Sequence, residues 1–337
     1  MPKKAKKAKK NSNFKCKLFP YERTECLSIQ DAMQKSGWGI SAFDLPKAWK
    51  HSQGEGVRIA VLDTGCDLDH PDLNDNLEEG YNALNPKKKP WDGNGHGTHV
   101  IGTLVAENND IGVVGVAPKA KVLPIKVLKD DGSGDMRNVA KGIHWAIEQK
   151  VHLISMSLGC PVPIQQVRKA IQSAERHGIP TFVAAGNAGN TKEVFYPAAY
   201  PETIAIGAID QKMKRADFSN TGRNLDFMAP GVEIFSTVPD NWYATLNGTS
   251  MAQPFACGVA ALLLSWAWKN SPNTRLKKAQ DYRDIFKKHT IAVNENYNDP
   301  KFHQGFGIID PRKFIESIEK ERKRIRRRAR RRRRQGD

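Results

Sequence analysis

Three short motifs place a carboxylate, an imidazole and a hydroxyl where they could act together. Asp63 stands in Val61-Leu62-Asp63-Thr64-Gly65, His96 in Asn94-Gly95-His96-Gly97-Thr98-His99-Val100, and Ser250 in Asn247-Gly248-Thr249-Ser250-Met251-Ala252. A serine hydroxyl is a weak nucleophile at neutral pH and needs an adjacent base. An imidazole serves when a buried carboxylate fixes its tautomer and stabilises the imidazolium that forms. Ser250 also opens a long apolar run, so it falls at a helix start, where unpaired backbone N–H groups can meet a developing oxyanion. The chemistry these groups suit is acyl transfer.

Positioning them requires a rigid frame. Residues 57–62, 121–127, 153–157, 181–185 and 203–209 read as continuous apolar strands, and residues 100–106, 139–149, 167–177 and 250–268 as helices. Strands without in/out alternation, separated by helices, mean an α/β fold: three layers, a mostly parallel sheet with helices on both faces. In such sheets the chemistry collects at the carboxyl ends of strands, where Asp63, Ser157 and Asn187 all fall. No repeat is visible. The longest apolar stretch, residues 257–268, is too short to span a bilayer.

The order Asp, His, Ser with these motifs resembles the subtilisin family of serine proteases over residues 42–318. The resemblance implies that Asn187, in Ala184-Ala185-Gly186-Asn187, donates its side-chain amide to the oxyanion. It implies that Gly132-Ser133-Gly134 and Ser157-Leu158-Gly159 form the two edges that pair with an extended substrate backbone. Phe195 replaces a usually small residue at the floor of the pocket for the side chain before the scissile bond, so a preference for small or medium apolar side chains is expected. A further departure is Gln253-Pro254-Phe255 after the serine motif, where relatives carry Thr or Ser and then Pro-His. The resemblance also implies a cis bond at Tyr196-Pro197.

Other reactive types nearby carry plainer readings. His99 lacks the spacing of a zinc pair and reads as structural. Asp67, Asp69 and Asp72 crowd the Asp63 turn, but only Asp63 directly follows the strand. Cys66 and Cys257 read as small buried hydrophobes, with Cys66 the one to confer mercurial sensitivity if it were reachable.

Residues 107–113 resemble the family's calcium loop. Asp72, Asn109 and the backbone carbonyls of Glu107, Ile111 and Val113 would supply hard oxygen ligands to Ca²⁺; the alternative is an ordinary polar loop. Leu18-Phe19-Pro20-Tyr21 is similar to the short inhibitory extension of the intracellular subtilisins, with activation expected by cleavage after Tyr21. The alternative there is an unstructured leader.

The division expected is a basic disordered tail at 1–13, an inhibitory extension at 14–41, a catalytic domain at 42–318 and an Arg-rich disordered tail at 319–337. The tails carry nearly all of the net charge of +17. Residues 1–10 hold six lysines, and residues 320–337 hold 12 Lys/Arg against Glu321 and Asp337. They suit nonspecific contact with polyanions or nucleic acid. Five cysteines without ligand spacing, and no apolar run behind the basic start, indicate a reducing, cytoplasmic setting. Protein and peptide substrates, and by resemblance a homodimer, are the expected partners. A rival function of another class is a nucleic-acid-binding protein on an inert protease scaffold; a protease localised by its tails would combine both.

Overall fold

The structure is a computed structural model that describes residues 15–18, 20, 22–28, 34–189, 193–270 and 276–317, with residues 22–26 described by backbone alone. Both long tails, Phe19 and Tyr21 lie outside the described residues.

A nine-stranded sheet forms the centre. Its spatial order is Thr290–Ile291, Ile308–Ile309, Phe227–Pro230, Thr203–Ile209, Thr181–Ala184, Leu153–Met156, Arg58–Asp63, Lys121–Lys126 and Tyr81–Asn82. Every neighbouring pair is parallel except the first, which is antiparallel. The five strands read from the sequence all lie here, and their continuous apolar runs are explained by burial on both faces. Thr203–Ile209, for example, is buried at every residue. Lys121–Lys126 lies on one side of Arg58–Asp63 and Leu153–Met156 on the other. Strand order therefore reverses at the strand ending in Asp63, which opens a crevice at its carboxyl end.

Helix His96–Val105 packs on helix Thr249–Asn270, and helix Met136–Glu148 on helix Gln165–Arg176, giving three layers in all. Helix Thr249–Asn270 has 22 residues and is long and apolar enough to cross a bilayer by length and composition. Eighteen of its 22 residues are buried within the protein, so it is a core helix, apolar all round because protein surrounds it.

Two smaller sheets flank the crevice. Ile234–Val238 and Trp242–Asn247 form a hairpin, and Glu22–Ser28 adds to it as an antiparallel third strand. Lys15–Lys17 pairs antiparallel with Ser133–Asp135. Residues 34–41 pack on the body: Ile40 of helix Trp38–Ala42 is buried, and the Trp38 indole donates to the Val232 carbonyl at 2.8 Å. Tyr196-Pro197 is cis, as the resemblance implied.

Candidate active site

Asp63 ends its strand with its side chain inside the protein. Its Oδ1 accepts from the Thr64 N–H at 2.7 Å and lies 2.7 Å from His96 Nδ1, with both side chains buried. A carboxylate oxygen accepts, so Nδ1 is the donor in this pair.

Two glycines bring the segments this close. A Cβ on Gly97 would stand 2.2 Å from the Gly65 carbonyl oxygen, and one on Gly65 would stand 2.4 Å from the Pro90 carbonyl oxygen. Neither contact allows a side chain. The Gly97 N–H then donates to Thr64 Oγ1 at 2.9 Å, which latches the two motifs together. Asp92 fixes where the histidine helix begins. It accepts from the N–H groups of Asn94, Gly95 and Thr98 and from the Thr98 hydroxyl, at 2.7–2.9 Å. Burial works against its charge, yet these donors hold the carboxyl below the usual range. The helix begins at His96, as the motif suggests, and the apolar run from residue 100 lies inside it.

Ser250 is fully buried in the first turn of its helix, with Oγ 3.4 Å from the Ser157 carbonyl oxygen. Asn187 stands beside it. Its Oδ1 accepts from the N–H and hydroxyl of Thr249 at 2.9 and 2.7 Å, which turns Nδ2 outward. That Nδ2 donates to the carbonyl oxygen of Pro20 at 2.8 Å. Thr249 thus sets the direction of the candidate oxyanion donor, a role that the motif alone did not reveal.

The chain itself occupies the cleft. Lys15, Cys16 and Lys17 pair with Asp135, Gly134 and Ser133, and Lys17 also bridges Gly159 in antiparallel register. The Leu18 N–H donates to the Gly132 carbonyl at 2.9 Å. The segments expected at residues 132–134 and 157–159 therefore flank one extended strand. Ala184 ends its strand, the Ala185 carbonyl accepts from the Phe195 N–H at 2.9 Å, and Gly186 adopts φ +111 beside the Phe195 ring.

The residues expected around a cation converge on Gln34, to which no motif in the sequence pointed. Its Nε2 lies 2.7 Å from the Glu107 carbonyl oxygen, 3.3 Å from those of Ile111 and Val113, and 3.4 Å from Asn109 Oδ1. Asp72 Oδ2 accepts from the Val113 N–H at 2.8 Å, and its buried Oδ1 has no hydrogen-bond partner among the described residues. Burial pushes this carboxyl up to about 7 against the Val113 bond. Oxygen ligands with one orphaned carboxylate oxygen fit a hard divalent cation. Among the described residues no group of three or more His, Cys, Asp or Glu could hold a metal ion.

His99 is structural: its Nε2 lies 3.0 Å from the carbonyl oxygens of Ile234 and Ala244, tying the helix to the hairpin. Cys66 and Cys257 are fully buried, and burial pushes both thiols up, as befits small core residues.

A buried Asp–His pair at a sheet's switch point and a serine at the head of the core helix are the parts that a serine hydrolase of the parallel α/β type requires. Residues 54–307 match the profile of the subtilase family, and the chain belongs to that family. It is 40% identical over 314 residues to the intracellular serine protease of Paenibacillus polymyxa, covering 91% of this chain and 92% of that protein. It is 37% identical over 286 residues to the major intracellular serine protease of Bacillus subtilis (strain 168), covering 82% and 88%. Subtilisin BL of Lederbergia lenta is 46% identical over 231 residues, covering 68% and 84%. The chain is a subtilisin-like serine protease.

Proposed function

We propose that this protease is an endopeptidase of broad specificity that cleaves proteins through an acyl-enzyme, with Ser250 as nucleophile, His96 as base and Asp63 as the group that orients the histidine. The observation that carries the reading is the 2.8 Å bond from Asn187 to the Pro20 carbonyl: a peptide carbonyl sits on the amide expected to hold an oxyanion.

In the proposed cycle, Ser250 Oγ attacks the carbonyl carbon while His96 Nε2 takes its proton. Negative charge on the carbonyl oxygen is met by Asn187 Nδ2 and the Ser250 N–H. As the intermediate collapses, His96 returns the proton to the leaving amine, and water then enters by the same route in reverse. Substrate backbone would replace the leader strand between residues 132–134 and 157–159. Recognition through main-chain hydrogen bonds accounts for broad sequence tolerance. Phe195 beside Gly186 would limit the primary pocket to small or medium apolar side chains.

Leu18 and Pro20, with Phe19 and Tyr21 between and beyond them, form an inhibitory extension in this reading. Proline's fixed φ would hold the bound peptide bond out of line for attack, and cutting the extension would free the cleft. Ca²⁺ held by Asp72, Asn109 and the carbonyls of Glu107, Ile111 and Val113 would stabilise the fold. Turning the Gln34 amide would present its oxygen to the same ion. Two of the relatives are named as intracellular proteases, which supports a cytoplasmic location. A homodimer, and polyanion contact through the tails, belong to the same reading.

Casein hydrolysis by the full chain, by protein lacking residues 1–30 and by Ser250→Ala tests it. The shortened protein should be the most active and Ser250→Ala inactive. Activity in Ser250→Ala would overturn the nucleophile, and equal activity of the first two would overturn the inhibitory extension. Salt-dependent retention on DNA, with and without the tails, checks the polyanion contact.

A further inference from the structure

Gln253 lies three residues after Ser250 and is fully buried beneath it. We propose that Gln253 is a positioning residue that fixes, through Ser157, the distance between the nucleophile and the edge that pairs with substrate. The proposal rests on the reading of Ser250 as the nucleophile.

Pro254 stands inside the helix and has no N–H, so the Ser250 carbonyl lacks its normal i+4 partner. Ser157 Oγ supplies one at 3.0 Å. The same hydroxyl lies 3.1 Å from Gln253 Oε1, so its single proton is shared between two acceptors and its rotamer is bracketed from both. Gln253 is itself held at both ends. Its Oε1 accepts from Ser155 Oγ at 2.9 Å, and its Nε2 donates to the Phe182 carbonyl at 3.2 Å.

Ser157 therefore touches the nucleophile twice. Its hydroxyl holds the Ser250 carbonyl, and its own carbonyl lies 3.4 Å from Ser250 Oγ. Two residues further on, Gly159 pairs with the strand in the cleft. A shift of Ser157 would move the nucleophile and the substrate edge relative to one another. Misplacement of reacting groups by about 1 Å can cost on the order of 10²-fold in rate. A Ser or Thr at position 253 is too short to reach Ser155, Ser157 and Phe182 together, so the network belongs to glutamine.

The test compares Gln253→Met, Ser157→Ala, the double variant and Ser250→Ala as full chains, each activated in trans by tagged wild-type enzyme that is then removed. Gln253→Met keeps the length and removes the amide. Turnover of a small peptide and the rate of fluorophosphonate labelling at Ser250 should both fall about ten-fold or more, with KM within about two-fold of wild type. If Gln253 acts through Ser157, the double variant should be no slower than Ser157→Ala. Multiplicative losses, or a lowered Tm with unchanged kcat, would overturn the proposal. If Gln253→Met does not fold, Ser157→Ala decides alone: unchanged kcat overturns it. Ser250→Ala separates the two levels of the reading. Residual turnover there would refute the nucleophile and, with it, any role for Gln253 in placing one. An inert Ser250→Ala beside a full-speed Gln253→Met would sink the Gln253 proposal and spare the nucleophile.

Discussion

The side-chain nitrogen of Asn187 lies 2.8 Å from the carbonyl oxygen of Pro20, while its oxygen is locked by Thr249. A donor held this way needs no reorganisation when charge develops on the carbonyl, which is why such groups act mainly on the transition state.

Replacing Asn187 by Leu should lower kcat by about 10²–10³, the loss already known for removing the equivalent donor from a subtilisin, with KM little changed. Thr249→Val removes the hydroxyl half of the lock and should give a smaller loss in the same sense. Steady-state kinetics on a peptide substrate checks both. A large KM effect with unchanged kcat would mean that Asn187 only holds the ground state.

Removal of divalent cations should lower the Tm of the full chain, and added Ca²⁺ should restore it. A ligand at 100 times its Kd contributes about 2.7 kcal/mol to a folded state that alone binds it. Asp72→Ala and Gln34→Ala should both blunt the response, because both side chains face the same loop. Thermal unfolding with and without chelator is the measurement.

Arg283 and Asp226 should form a stabilising pair far from the chemistry. Nε lies 2.9 Å from Oδ1 and Nη2 lies 3.1 Å from Oδ2, and the guanidinium also donates to the carbonyls of Pro201 and Thr203. With side chains only 14% and 10% exposed, removing one partner leaves the other charge buried. Arg283→Met should cost roughly 3–5 kcal/mol, and Arg283→Met with Asp226→Leu should recover part of it. Denaturant titration of the Ser250→Ala protein, which cannot digest itself, reads the difference.

Features carried by local pattern were legible in the sequence: the apolar strands, the core helix, and Asp63 at a strand end. Gly65 and Gly97 show why the motifs carry glycine, since each meets a backbone carbonyl that no side chain could approach. What escaped depends on distant partners. Gln34 is one amide in a polar stretch until the loop at 107–113 folds around it. The strand Lys15–Lys17 exists by pairing its backbone with residues 133–135, and main-chain bonds leave little trace in side-chain pattern. The Gln253 network joins residues that lie 71–98 positions apart in the chain, so no local spacing announces it.

Whether Ser250 is activated by His96 is tested most directly by locating, by mass spectrometry, the site at which a fluorophosphonate attaches to the active protein. One adduct is expected, on Ser250, and it should fall to background in His96→Ala. An adduct on another residue, or undiminished labelling of Ser250 without the histidine, would contradict the assignment.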